Sequence, residues 1–126
     1  MATTHILIAD SSSLAVLGAE TLLRQRPNTQ VSIASCASDL LQMACDLQPD
    51  LILAGDQLDP AMDTLQLIEQ LQHSAPQAHF IFTGLVTDGL LIHDMLSMGV
   101  RGYLCAADDL RDVLLSAVEA VLKDRI

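Results

Sequence analysis

With 126 residues, 51% of them apolar, the chain is one domain long and can bury roughly two-thirds of its unfolded surface in a single core. Six Lys and Arg against 16 Asp and Glu leave a net charge of −10, which argues against DNA or RNA binding by this segment, because phosphate neutralisation needs clustered cations. Phe80, Phe82 and Tyr103 are the only aromatic residues, too few for a platform on which single strands could stack. No apolar run has the length of a membrane span, and the opening MATTHILIAD lacks a basic region and a cleavage site. The expectation is a soluble cytoplasmic protein without membrane contact. Cys36, Cys45 and Cys105 contain no Cys-x-x-Cys, so they read as small buried hydrophobes. His5, His73, His79 and His93 are scattered, and neither H-E-x-x-H nor a nucleophile elbow occurs. Nothing here points to an enzyme.

In chain order, five short aliphatic or β-branched runs predict strands at His5–Ala9, Gln30–Ala34, Leu51–Gly55, His79–Thr83 and Gly102–Cys105. The stretches between them have helical period. The first helix follows Ser11–Ser13, good N-cap residues, and aligns Leu14, Leu17, Thr21 and Leu22. The second starts near Ser38 and uses Leu40, Leu41, Ala44 and Leu47. The third follows an Asp63–Thr64 cap and uses Leu65, Ile68 and Leu71. The fourth carries Ile92, Met95 and Leu96; the fifth carries Leu110, Leu114, Ala117, Val118 and Val121. Pro27, Pro49 and Pro76 fall where helices must stop, and Gly99 suits a left-handed cap after the fourth.

Strict β-α alternation without a hairpin signal predicts a single α/β domain over residues 1–126. Its expected architecture is a doubly wound, flavodoxin-like αβα sandwich of three layers. The parallel sheet has five strands in order 2-1-3-4-5, with two helices on one face and three on the other. In such a sheet the working crevice lies outside the carboxyl ends of the strands. The residues placed there are Asp10-Ser11, Asp56, Thr83-Gly84 and Ala106.

These residues, with I-L-I-A-D (6–10), P-D-L-I-L-A-G-D-Q-L-D-P (49–60), F-I-F-T-G (80–84) and M-G-V-R-G-Y-L (98–104), resemble a response-regulator receiver domain of two-component signalling along essentially the whole chain. The last fragment is similar to the subfamily that joins a receiver to a LuxR-type helix-turn-helix output in transcription regulation. The resemblance implies a phosphorelay. Two acids after the first strand and a phosphoacceptor Asp after the third hold Mg²⁺, while a Thr or Ser and a Lys contact the phosphoryl group supplied by a histidine kinase. Carried over, Asp10 matches the first acid, Thr83 the switch hydroxyl and Tyr103 the switch aromatic. Ser11 stands in place of the second acid and Ala106 in place of the lysine. The one lysine is Lys123 in the last helix, and Arg101 precedes the fifth strand. Counting forward from Pro49-Asp50 puts the acceptor at Gly55; counting back from Pro60 puts it at Asp56, the favoured candidate. Asp59 reads as a solvated loop acid.

Two functions follow from the resemblance. One is a pseudo-receiver acting through protein contacts, with no cofactor required and at most weak Mg²⁺ at Asp10 and Asp56. The other is a working phosphoreceiver charged on Asp56. A third class, a flavodoxin-like nucleotide or flavin binder, would use Ser11-Ser12-Ser13 at a helix N-terminus, but Asp10 beside it repels an anion. Leu91 and Met98, and Leu115 and Leu122, are each a heptad apart and surplus to the core stripes. They mark the fourth helix, fifth strand and fifth helix as a face for a homodimer or a partner protein.

Overall fold

Ten elements alternate along the chain: β1 (Thr4–Ala9), α1 (Ser13–Leu23), β2 (Thr29–Ala34), α2 (Ala37–Leu47), β3 (Leu51–Gly55), α3 (Thr64–Ser74), β4 (His79–Gly84), α4 (Gly89–Ser97), β5 (Gly102–Cys105) and α5 (Leu110–Lys123). The computed structural model describes residues 3–10, 13–55, 58, 63–84, 89–105 and 110–123. All neighbouring strands are parallel, in the order β2-β1-β3-β4-β5.

A parallel sheet covered on both faces demands continuous apolar strands rather than alternating ones. Ile6–Ala9 and all of Leu51–Gly55 are buried accordingly. Strand parity divides the core. Leu7, Ala9, Ile52, Ala54, Phe80 and Phe82 pack with Leu40 and Ala44 of α2, Leu67, Ile68 and Leu71 of α3, and Met95 of α4. Ile6, Ile8, Leu51, Leu53, Ile81 and Leu104 pack with Leu23 of α1 and Leu114, Val118 and Val121 of α5. Two helices therefore cover one face and three the other, as expected.

The helix ends obey their punctuation. Gly99 has φ 105°, where a side chain would be strained, and the Val100 N–H reaches back to the Met95 carbonyl at 3.2 Å. Gln48 closes α2 in the left-handed region, and its side-chain amide donates to the carbonyls of Cys45 and Ser74, tying α2 to the end of α3.

Several expectations are corrected. Leu17 is 57% exposed and Thr21 is exposed, whereas Val16, Ala19, Leu22 and Leu23 turn inward. Helix α1 is apolar nearly all round, so periodicity could not select its buried face. Leu47 and Leu96 are exposed too, lying just past the buried stripes of their helices. Cys36 and Cys45 are exposed rather than buried: one caps α2 from outside and the other lies on its solvent side. The side chains of Leu14, Cys105 and Leu110 are outside the described residues. Finally, Leu91 and Met98 are half-buried against one core cluster and Leu115 and Leu122 against the other, so they are not surplus. A helix on a sheet buries a stripe wide enough to include such flanking positions.

Candidate functional site at the carboxyl ends of the strands

Period-two alternation decides what meets at the top of the sheet. Asp10 continues the Ile6-Ile8 series, Gly55 continues Leu51-Leu53, and Thr83 continues Ile81, so all three face the α1–α5 layer. Register sets Gly55 level with Thr83 and Ala9 level with Ala54. The three residues rim a cavity of about 30 Å³ walled by Ile8, Ala19, Leu53 and Leu114. That is room for a water or two.

Asp10 is half-buried and its carboxylate lies directly against Gly55: a Cβ built on Gly55 would stand 2.6 Å from Asp10 Oδ2 and 2.8 Å from its Cγ. Any side chain at position 55 would make that carboxylate shift. On its other side Asp10 borders an open groove of about 300 Å³ between α1 and the end of β2, with Val16, Leu17, Glu20, Ile33, Ala34 and Ser35.

Of the residues singled out in the sequence, Asp10 and Thr83 are thus brought together. Ser11, Ser12, Asp56, Asp59 and Ala106 lie outside the described residues. Tyr103 is not part of the cavity. It pairs with Phe82 across β4–β5 and lies half-buried against the α2–α4 side of the core, the opposite face from Thr83. Arg101 is exposed ahead of β5, where its backbone N–H donates to the Phe80 carbonyl, and Lys123 is exposed in the last turn of α5.

As a metal site the described residues fit poorly. Among the described residues Asp10 is the one carboxylate lining the cavity, and no group of three or more His, Cys, Asp or Glu is placed to hold an ion. Mg²⁺ binds through one or two carboxylates with several waters, so a single half-buried Asp offers the minimum.

Asp50 has a structural role that the sequence reading did not assign. At the opposite end of the sheet its carboxylate accepts the His5 N–H at 2.8 Å, its own N–H donates to the His5 carbonyl at 2.8 Å, and its carbonyl accepts the His79 N–H at 3.0 Å. One residue thereby joins β1, β3 and β4. The Pro-Asp pair just before a strand was the available signal.

No family model matches the chain, and no curated protein matches it either. Solved structures do. A signal receiver domain of an HD domain-containing protein from Pseudomonas fluorescens Pf-5 superposes with a TM-score of 0.86 at 24% identity, covering 98% of this chain and 97% of that one. A LuxR-family two-component response regulator from Aurantimonas sp. SI85-9A1 gives 0.86 at 19% identity, covering 98% and 88%. A CheY-like receiver domain protein from Methanospirillum hungatei JF-1 gives 0.83 at 20% identity, covering 97% and 96%. At such identities the likeness is one of fold, and that fold, with its strand order and its crevice at Asp10 and Thr83, is the fold of a response-regulator receiver domain.

Proposed function

We propose that the chain is a pseudo-receiver: a signal-transduction module of the cytoplasm that works through protein–protein contacts, with phosphorylation of an aspartate weak or absent. It is not an enzyme in the ordinary sense and needs no bound cofactor. The observation that carries this reading is the glycine at 55. The residue of β3 that stands level with Thr83 has no side chain, and the Asp10 carboxylate fills the space above it. Ser11 and Ala106 support it from the sequence, since neither supplies a charge where the receiver resemblance asks for an acid and a lysine. Phosphoryl transfer relies on charge neutralisation at the transferred group, and each missing interaction typically costs about two to three orders of magnitude in rate.

The test is labelling with acetyl phosphate and Mg²⁺. The unmodified chain is expected to label at least about a hundredfold more slowly than an ordinary receiver. Installing Ser11→Asp with Ala106→Lys asks whether the scaffold regains the reaction, and loss of that gain with Asp56→Asn would identify Asp56 as the acceptor. Prompt stoichiometric labelling of the unmodified chain would replace the pseudo-receiver with a working phosphoreceiver.

For partner contacts we propose the face formed by α4, β5 and α5. Leu90 (69% exposed) and Leu96 are exposed on α4 and Val113 on α5, and β5 is the strand at the margin of the sheet. These take the role first assigned to Leu91, Met98, Leu115 and Leu122. A second copy of the chain or another signalling protein would bury them.

A further inference from the structure

We propose that the groove between the start of β5 and the last turns of α5 binds an acidic, amphipathic segment of a partner protein. The groove lies at the amino ends of the strands, remote from the crevice. It therefore stands whether or not an aspartate is phosphorylated.

Cations are scarce in this chain, and the fold gathers them. Of the six, Arg24 and Arg26 lie between α1 and β2, Arg101 just ahead of β5, and Lys123 in the last turn of α5. All four fall at the amino edge of the sheet. Arg111 belongs to the first turn of α5, at the other end, and Arg125 lies outside the described residues. Two acids stand among these cations, and each already accepts from an arginine: Glu119 from Arg26 at 2.6 Å and Glu20 from Arg24 at 2.8 Å. Lys123, one turn beyond Glu119, is exposed and adds to the positive field there.

The groove holds about 420 Å³ and is lined by Val100, Arg101, Ala120 and Val121. Val100 and Val121 are buried and give it an apolar floor, while Arg101 and Ala120 are exposed. Lys123 is three residues from Ala120 and so shares its side of the helix. Arg101 offers five N–H donors in a fork that matches a carboxylate, so a neighbour already bonded to it does not exhaust it.

The occupant follows from this chemistry. An apolar floor between an arginine and a lysine suits an aliphatic side chain flanked by Asp or Glu. Two cations neutralise too few phosphates for nucleic acid. Among the described residues no exposed large aliphatic side chain lines the groove, so an anchor for a lipid surface is missing. The net charge of −10 opposes an acidic segment only at long range, because physiological salt screens beyond about 8 Å and leaves the local cations to decide.

The test uses the full chain and a fluorescein-labelled synthetic peptide of glutamate with leucine at every third or fourth position, followed by anisotropy. Binding should weaken at least about fivefold with Arg101→Glu and with Lys123→Glu, and as much when NaCl rises from about 20 to about 200 mM. Arg24→Glu makes the same charge change away from the groove and should alter affinity less than about twofold. Ala120→Glu, at an exposed helical position, puts a like charge in the groove and serves as the second variant if Arg101→Glu destabilises the chain. Absence of binding, or binding indifferent to all three groove substitutions, overturns the proposal. An effect of Arg24→Glu as large as theirs would reduce the binding to general charge and overturn it too. So would equal or tighter binding of the same peptide with lysine for glutamate, of duplex DNA, or of phosphatidylserine vesicles. Self-association abolished by Lys123→Glu, without peptide binding, would give the groove to a second copy and overturn the choice of partner.

Discussion

Asp50 and Gly55 bracket β3, and the strand's two ends are governed by opposite needs. At the start, the Asp50 carboxylate satisfies the His5 N–H, which the sheet would otherwise leave without a partner at its margin. Asp50→Ala is expected to cost about 1–3 kcal/mol in denaturant unfolding, the penalty for a part-buried donor stripped of its acceptor. Asp50→Asn retains an oxygen there and should lose less than half as much. Gly99 is the other single residue with a backbone reason: at φ 105° an alanine is strained, and Gly99→Ala should cost about 1–2 kcal/mol by the same measurement. Asp10 and Thr83 were legible in the sequence because each ends an apolar run, and a polar residue at the carboxyl end of a parallel strand is carried to the crevice. The seat of Asp10 on Gly55 was not legible, since it depends on the depth to which β1 and β3 rise together. The outward turn of Leu17 was equally hidden, because a helix apolar nearly all round has too few polar residues to mark its solvent side.

Helices hold their places by pairs of contacts that differ in strength. Arg26, after α1, donates to Glu119 of α5 at 2.6 Å, with Glu119 about half exposed. The Arg26 hydrogen bond holds the Glu119 carboxyl below its ordinary value of 4.5. The pair's contribution is therefore full above that value and fades as pH falls below it. At such exposure it amounts to no more than about 1 kcal/mol. Glu119→Gln should narrow the stability difference between neutral and acid pH by that small amount, with the two proteins converging once the pH falls below the depressed Glu119 value, as read by urea titrations. The exposed α4 residues invite a different measurement. Leu96→Glu should shift any dimer towards monomer in sedimentation velocity while leaving Tm nearly unchanged, as Leu96 is 47% exposed and contributes little to the core. The same substitution at Leu115, half-buried against the cluster of Leu114 and Val118, should lower Tm instead. An oligomeric state indifferent to Leu96→Glu would remove α4 from the proposed face.

The whole molecule was readable from its alternation of periods. Five apolar runs separated by helical stretches admit few arrangements once crossovers are right-handed, and strand order followed. Charge was informative only by exclusion: a net −10 without a basic cluster argues against nucleic acid, yet says nothing about which protein is met. The two ends of the sheet also differ in a way that bears on motion. At one end Asp50 stitches three strands with three hydrogen bonds; at the other, β1 and β3 finish on a half-buried acid, a glycine and a small cavity. The Asp50 end is thus a pinned hem. The amides of Asp50 and His79 should therefore surrender deuterium only on global unfolding, so that hydrogen exchange reads this end of the sheet as its last part to open.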